Sequence, residues 1–141
     1  MDDLIAFLRA RLDDEERTAR AATPGPWRVD PDRLLSGLHR VVTADCIEGP
    51  TAGHEHGSVV VAGDDVGGTA SCDAQHIVLH DPARVLREVE AKRQLLDQFR
   101  LRGDSVRRTV QPATGGVWDD LLRLLALPYA DHPEFREQWK R

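Results

Sequence analysis

The 141-residue sequence predicts an α+β fold. An N-terminal helix and a central helix pack on a small three-stranded antiparallel sheet, followed by a short C-terminal helical region. Three observations carry this prediction. Apolar residues recur at three- and four-residue spacing in two long polar stretches, near each end of the first hundred residues. Between them lies a block punctuated by glycine and proline, with short β-branched runs. Beyond the second stretch comes a compact, very apolar segment closed by Pro128. We read residues 1–141 as a single domain: a helix at 1–22, the sheet within 26–62, a helical region at 73–101, a connector at 102–116 and a helical tail at 117–141.

The first helix has Asp2 and Asp3 at its start and Arg17 and Arg20 near its end, the arrangement favoured by the helix dipole. Leu4, Ile5, Leu8, Leu12 and Ala19 form its apolar stripe. Arg9–Asp13 and Glu16–Arg20 are i,i+4 pairs, each contributing a few tenths of a kcal/mol. "TPGPW" (23–27) ends the helix, because each proline restricts the residue before it and Gly25 permits a sharp turn. Trp27 opens an extended segment. The remaining strands are placed at "LHRVVTADCI" (38–47) and "SVVVA" (58–62), with "EGPTAGHEHG" read as a loop between them.

In "CDAQHIVLHDPARVLREVEAKR" (72–93), a single helix would place Pro82 in its interior and free the carbonyl of Val78. Two helices are more economical. Asp73 caps the first, which runs to Leu79 or His80. Asp81 caps the second, with Pro82 at its first position, where a missing N–H is harmless. Val85, Leu86, Val89, Leu96 and Phe99 give the second helix its apolar face. Lys92 falls within that arc and must extend its ammonium to water. "RGDSVRRTVQPATGG" (102–116) shows no clear period and is read as the connector. "VWDDLLRLLALPY" is a third helix, and Phe135 and Trp139 of the tail are expected to dock.

Several classes of function lose support at this level. No run approaches the ~20 apolar residues that span a bilayer, and the acidic N-terminus does not resemble a secretory signal, so a cytoplasmic protein is expected. Cys46 and Cys72 form no CxxC and are read as two buried thiols in a reducing compartment. There is no GxSxG, Walker A or GxGxxG motif, so no catalytic residue and no cofactor is assigned. The net charge of −5 does not favour nucleic acid. The charge is uneven, however. Residues 23–81 carry three basic and nine acidic side chains, while 82–108 carry eight basic and four acidic.

His76 and His80 stand four apart, the spacing that sets two metal ligands on one side of a helix. The HExxH glutamate is missing. His54 and His56, in "GHEHG", could complete a four-ligand zinc site only if their loop folded toward the helix. The expectation is no native metal site, with His76 and His80 bonded to backbone or a neighbouring carboxylate. Trp27, Asp81 and Pro82 are assigned structural roles.

"HIVLHDPARVLREVEAKR" (76–93) and "LRLLALPYADHPEFREQW" (122–139), with the N-terminal "DDLIAFLRARLDDEERTARAA" and a tryptophan-bearing extended region, resemble an uncharacterised family of small proteins from actinobacteria and their phages, a domain of unknown function. The resemblance spans nearly the whole chain and is loosest over 30–70. It implies a common fold and an accessory, mobile-element setting, and it brings no activity and no site residue.

The favoured function is a non-enzymatic module acting through a protein partner. One alternative is a metal-binding protein or metal-dependent enzyme using His54, His56, His76 and His80. Another is a nucleic-acid accessory using Arg84, Arg87, Arg93, Arg100, Arg107 and Arg108, although these arginines spread around their helix.

Overall fold

The structure is a computed structural model. It describes residues 1–31, 38–45, 47–48, 54–56, 59–64, 70–109 and 115–140; of these, 31, 38–39, 47–48, 54–56, 59–64, 70–71, 102–109, 115 and 117 are described by their backbone alone. The fold is α+β. Its elements are α1 (Asp2–Ala21), β1 (Trp27–Pro31), β2 (Leu38–Thr43), β3 (Ile47–Glu48), β4 (His54–His56), β5 (Val59–Asp64), α2 (Ala70–Leu79), α3 (Pro82–Thr109) and α4 (Gly115–Ala126), with 3-10 turns at Leu127–Tyr129 and Glu137–Trp139. They form two compact units, Met1–Glu15 with Glu88–Arg141, and Glu16–Arg87.

The first unit is helical. Leu4, Leu8 and Leu12 of α1 are buried, as are Val89 and Leu96 of α3 and Leu122 and Ala126 of α4. These positions recur at helical spacing, so each helix turns one continuous stripe inward. Between Leu8, Leu12, Leu96 and Leu125 only about 10 Å³ stays empty, roughly what a single water requires. Phe7 anchors a second cluster. Its ring meets Trp139 at 4.9 Å, Phe135 at 6.0 Å and Tyr129 at 6.2 Å between centroids. Trp139 is 7% exposed. The tail reaches these positions through short turns, with Phe135 N–H donating to His132 O at 2.8 Å and Trp139 N–H to Arg136 O at 2.9 Å.

Charge pairs close the rim of this unit. Arg9 bonds Asp97 at 3.2 Å, and Arg93 bonds Asp13 at 2.5 Å. The expected Arg9–Asp13 pair along α1 is thus replaced by two pairs to α3. Glu16–Arg20 does form, at 2.6 Å, in the other unit. Lys92 is half-buried, with its ammonium 3.4 Å from Glu15 and 5.9 Å from the centre of the Tyr129 ring.

In the second unit β1 pairs antiparallel with β2, from Trp27↔Thr43 to Pro31↔His39. β2 pairs antiparallel with β5, with a register irregularity between Val41 and Val42. β3 and β4 form a separate antiparallel pair. Val41 and Val42 are both fully buried. Successive strand residues point to opposite faces, so both faces of β2 are covered. α2 packs against β1 and β2.

Four boundaries differ from the sequence expectation. The strand placed at 38–47 stops at Thr43 and turns at Ala44–Asp45, and a new strand starts at Ile47. The segment read as a loop contains β4, because a three-residue strand is too short to show a period of two. α2 begins at Ala70, so Asp73 lies within its first turn instead of capping it; there its carboxylate still faces the positive end of the helix. α3 runs on to Thr109, through most of the basic half of the proposed connector. A lone glycine, Gly103, costs a helix about 1 kcal/mol and does not end it.

Candidate functional site

Asp81 joins the two motifs that punctuate the sequence. Its Oδ1 accepts the Arg84 N–H at 2.6 Å, which is the N-cap bond of α3, and its carbonyl accepts the Val85 N–H at 3.0 Å. Pro82 follows at the first helical position, where no N–H is needed. The second carboxylate oxygen, Oδ2, accepts the Trp27 N–H at 3.2 Å. Asp81 is 6% exposed, so both bonds lie away from solvent. Gly25 sits directly over this junction. A Cβ at Gly25 would stand 3.1 Å from Asp81 Oδ2 and 3.2 Å from both the Cβ and the backbone N of Ala83. A side chain there would require Asp81 or Ala83 to give by a few tenths of an ångström. The Gly25–Pro26 peptide bond is cis. The Trp27 indole is half-buried, and its Nε1 donates to Thr23 O at 3.1 Å. The Asp-Pro and Pro-Gly-Pro-Trp motifs therefore form one polar clasp, and its chemistry is structural.

His76 and His80 are both exposed. Their rings face one another at 4.7 Å between centroids, tilted by 54°. Neither imidazole hydrogen-bonds to backbone or carboxylate among the described residues, which corrects the expectation that they would. They lie at the C-terminal turn of α2, whose Leu79 carbonyl accepts Arg84 Nη1 at 2.7 Å. The side chains of His54 and His56, on β4, lie outside the described residues. No group of three or more His, Cys, Asp or Glu placed to hold a metal occurs among the described residues.

The described arginines of α3 differ in their surroundings. Arg84 is engaged with Leu79 and Arg93 with Asp13. Arg87 and Arg100 are exposed. The side chains of Arg107 and Arg108 lie outside the described residues, though their backbone continues α3.

Two features escape single-residue motif reading. One is a groove of about 560 Å³ between the Ala6, Phe7 and Ala10 side of α1 and the tail residues Phe135, Arg136 and Trp139. Its charges are already paired, Arg136 with Asp3 at 2.6 Å and Arg11 with Glu134 at 3.5 Å. The Arg11 guanidinium also bonds the His132 ring, at 2.7 Å to Nδ1. Beneath this network the Tyr129 hydroxyl donates to Glu15 at 2.7 Å. Burial, and then the neighbouring carboxylate that accepts its proton, push the phenol well above its ordinary range.

The other feature is the outward face of α4. Apolar residues occur there in adjacent pairs: Val117-Trp118, Leu121-Leu122, Leu124-Leu125 and Pro128-Tyr129. The second member of each pair turns inward. Trp118 meets Phe99 at 6.3 Å, Leu122 is 1% exposed, Leu125 lines the leucine core and Tyr129 reaches Glu15. Leu121, Leu124 and Pro128, the first members of the last three pairs, turn out. Leu121 is 39% exposed and Leu124 58%, with Leu127 beside them at 44%. The first members repeat at four, three and four residues, the spacing of a seam between two packed helices. The signal was present in the sequence as the doublets themselves.

A family model described as Family of unknown function (DUF6221) matches residues 1–141, and the chain belongs to that family. No curated protein and no solved structure matches it. No helix among the described residues is long and apolar enough to cross a membrane.

Proposed function

We propose that the chain, a member of a family of unknown function, is a non-enzymatic protein-binding module of the cytoplasm. It docks an amphipathic helix of a partner on the outward face of α4. The carrying observation is the seam of exposed leucines, Leu121 and Leu124, on a helix whose opposite face buries Leu122 and Ala126. Such a face in water is unfavourable by roughly 25 cal/mol for each Å² of apolar surface left uncovered. Its spacing suits a helix better than a loop or strand. The net charge of the chain is −5, which favours a partner helix carrying lysine or arginine along its apolar edge. The accessory, mobile-element setting rests on the family resemblance.

A photo-crosslinking residue at position 124 tests this in cells. The expected result is a discrete adduct, absent when the same residue is placed at the exposed position 94. A synthetic helix from the captured protein then binds the purified chain, and Leu121→Asp with Leu124→Asp weakens binding at least tenfold without changing helical content. An adduct with a second copy of the chain, or binding unaffected by the double substitution, overturns the proposal.

A further inference from the structure

The imidazole pair on α2 supports a ligand site that is independent of the α4 seam. An ion held by two imidazole nitrogens at about 2.0–2.1 Å, with a ligand–metal–ligand angle of roughly 90–110°, sets the two ring centres about 4.5–5.2 Å apart. The His76 and His80 rings stand at 4.7 Å. Side chains one helical turn apart can adopt many rotamers, so this distance is not fixed by sequence spacing. Both rings are exposed, and no hydrogen bond from the described residues competes for their nitrogens. They occupy the C-terminal turn of α2, where the helix dipole favours a cation. Arg84, bonded to the Leu79 carbonyl at 2.7 Å, also places a guanidinium at this turn.

We propose that His76 and His80 form an open two-imidazole chelate for a divalent transition-metal ion such as Zn²⁺ or Ni²⁺, with water filling the remaining positions. Imidazole suits these borderline ions, whereas Mg²⁺ and Ca²⁺ prefer oxygen donors. Cys72 is exposed one turn before His76, but no third ligand of this type joins the pair among the described residues. The site is therefore a surface chelate. The expectation of no metal site rested on the missing third and fourth ligands; the 4.7 Å approach of the two rings and their lack of other hydrogen bonds among the described residues support a two-ligand chelate instead.

Isothermal titration of the tag-free chain with Zn²⁺ or Ni²⁺ tests the site, with Mg²⁺ as the control ion. One ion should bind per chain, with no comparable Mg²⁺ heat. His76→Ala and His80→Ala should each weaken binding at least tenfold, while His132→Ala and Cys72→Ser leave it unchanged. Both substituted histidines are exposed, so circular dichroism and melting of the metal-free variants should match the parent. Undiminished binding in the double variant overturns the proposal, as does the absence of saturable binding, which would make the pair a ring contact only. One ion per two chains would overturn the water-completed form.

Discussion

Around Phe7 the chain is held by ring packing; around Asp81 it is held by hydrogen bonds converging on one carboxylate. The first unit buries Phe7, Trp139 and seven aliphatic residues from three helices. Its order is distributed, since each side chain touches several others and none is irreplaceable in kind. The second unit concentrates its order. Asp81 serves the first turn of α3 and the first residue of β1 at once, and Gly25 must stay small for the two to meet. Distributed packing tolerates a conservative exchange better than a clasp does, because volume can be refilled but a hydrogen-bond geometry cannot.

Trp139→Ala is the largest test of this contrast. Removing a 7%-exposed indole from the Phe7 cluster should cost about 3–5 kcal/mol in denaturant unfolding, with Trp139→Phe recovering much of it. Trp27, half-buried and bonded through its Nε1 to Thr23, should cost less. A Trp27→Ala loss equal to that of Trp139→Ala would erase the distinction between the units.

Asp81→Ala should follow, at about 2–4 kcal/mol, combining a lost cap with an unpaired Trp27 N–H. Asn can supply one accepting oxygen where the clasp uses two. Asp81→Asn should therefore recover only part of the loss, and full recovery would mean that the Trp27 bond contributes nothing. Gly25→Ala comes next. Its Cβ crowds the backbone N of Ala83 and cannot be relieved by turning a side chain alone, so about 1–3 kcal/mol is expected. Equal stability in thermal melts would show that the turn can move away.

How much of this was legible in advance divides along the same line. Leu4, Leu8, Leu12, Val89 and Leu96 are visible as stripes, because helical packing writes a short period into neighbouring residues. The cap at Asp81 is a local arrangement as well, and the Asp-Pro pair marks it. Its second bond is not local: Trp27 and Asp81 are 54 positions apart, and nothing near either residue specifies the other. The β3–β4 pair is too short to carry a period. The continuation of α3 past Gly103 reflects helix cooperativity, which a residue-by-residue reading undervalues. At the candidate sites, spacing identified His76 and His80 but assigned them partners they do not have. The α4 seam was written in the doublets and is recognised only once one member of each is known to make contacts inside its unit.

The smallest expected effect is Tyr129→Phe, about 1 kcal/mol for a lost hydrogen bond to a carboxylate. Tyr129 is the single tyrosine of the chain, so phenolate absorbance reports on it alone. Its folded-state pKa is raised above the ordinary phenol value of about 10. The stability it contributes is therefore fully present below that value and is lost as pH rises through the folded one. In an alkaline titration the phenolate should appear together with unfolding. Ionisation near pH 10 in a chain that keeps its helical circular dichroism would contradict the buried Tyr129–Glu15 bond.

The boundaries of the two units bear on how the molecule can be dissected. One falls between Glu15 and Glu16, inside α1, and the other between Arg87 and Glu88, inside α3. Domains joined by linkers can be expressed apart, because a cut in a linker leaves no hydrogen bonds broken. A cut within a helix strands several N–H and C=O groups on each side and leaves one short piece, 16–21 of α1 or 82–87 of α3, that cannot remain helical by itself. Truncation at either boundary should yield poorly folded fragments. Point substitutions in the intact chain, read out by Trp27 on one side and by Trp118 and Trp139 on the other, are the sound way to compare the two halves.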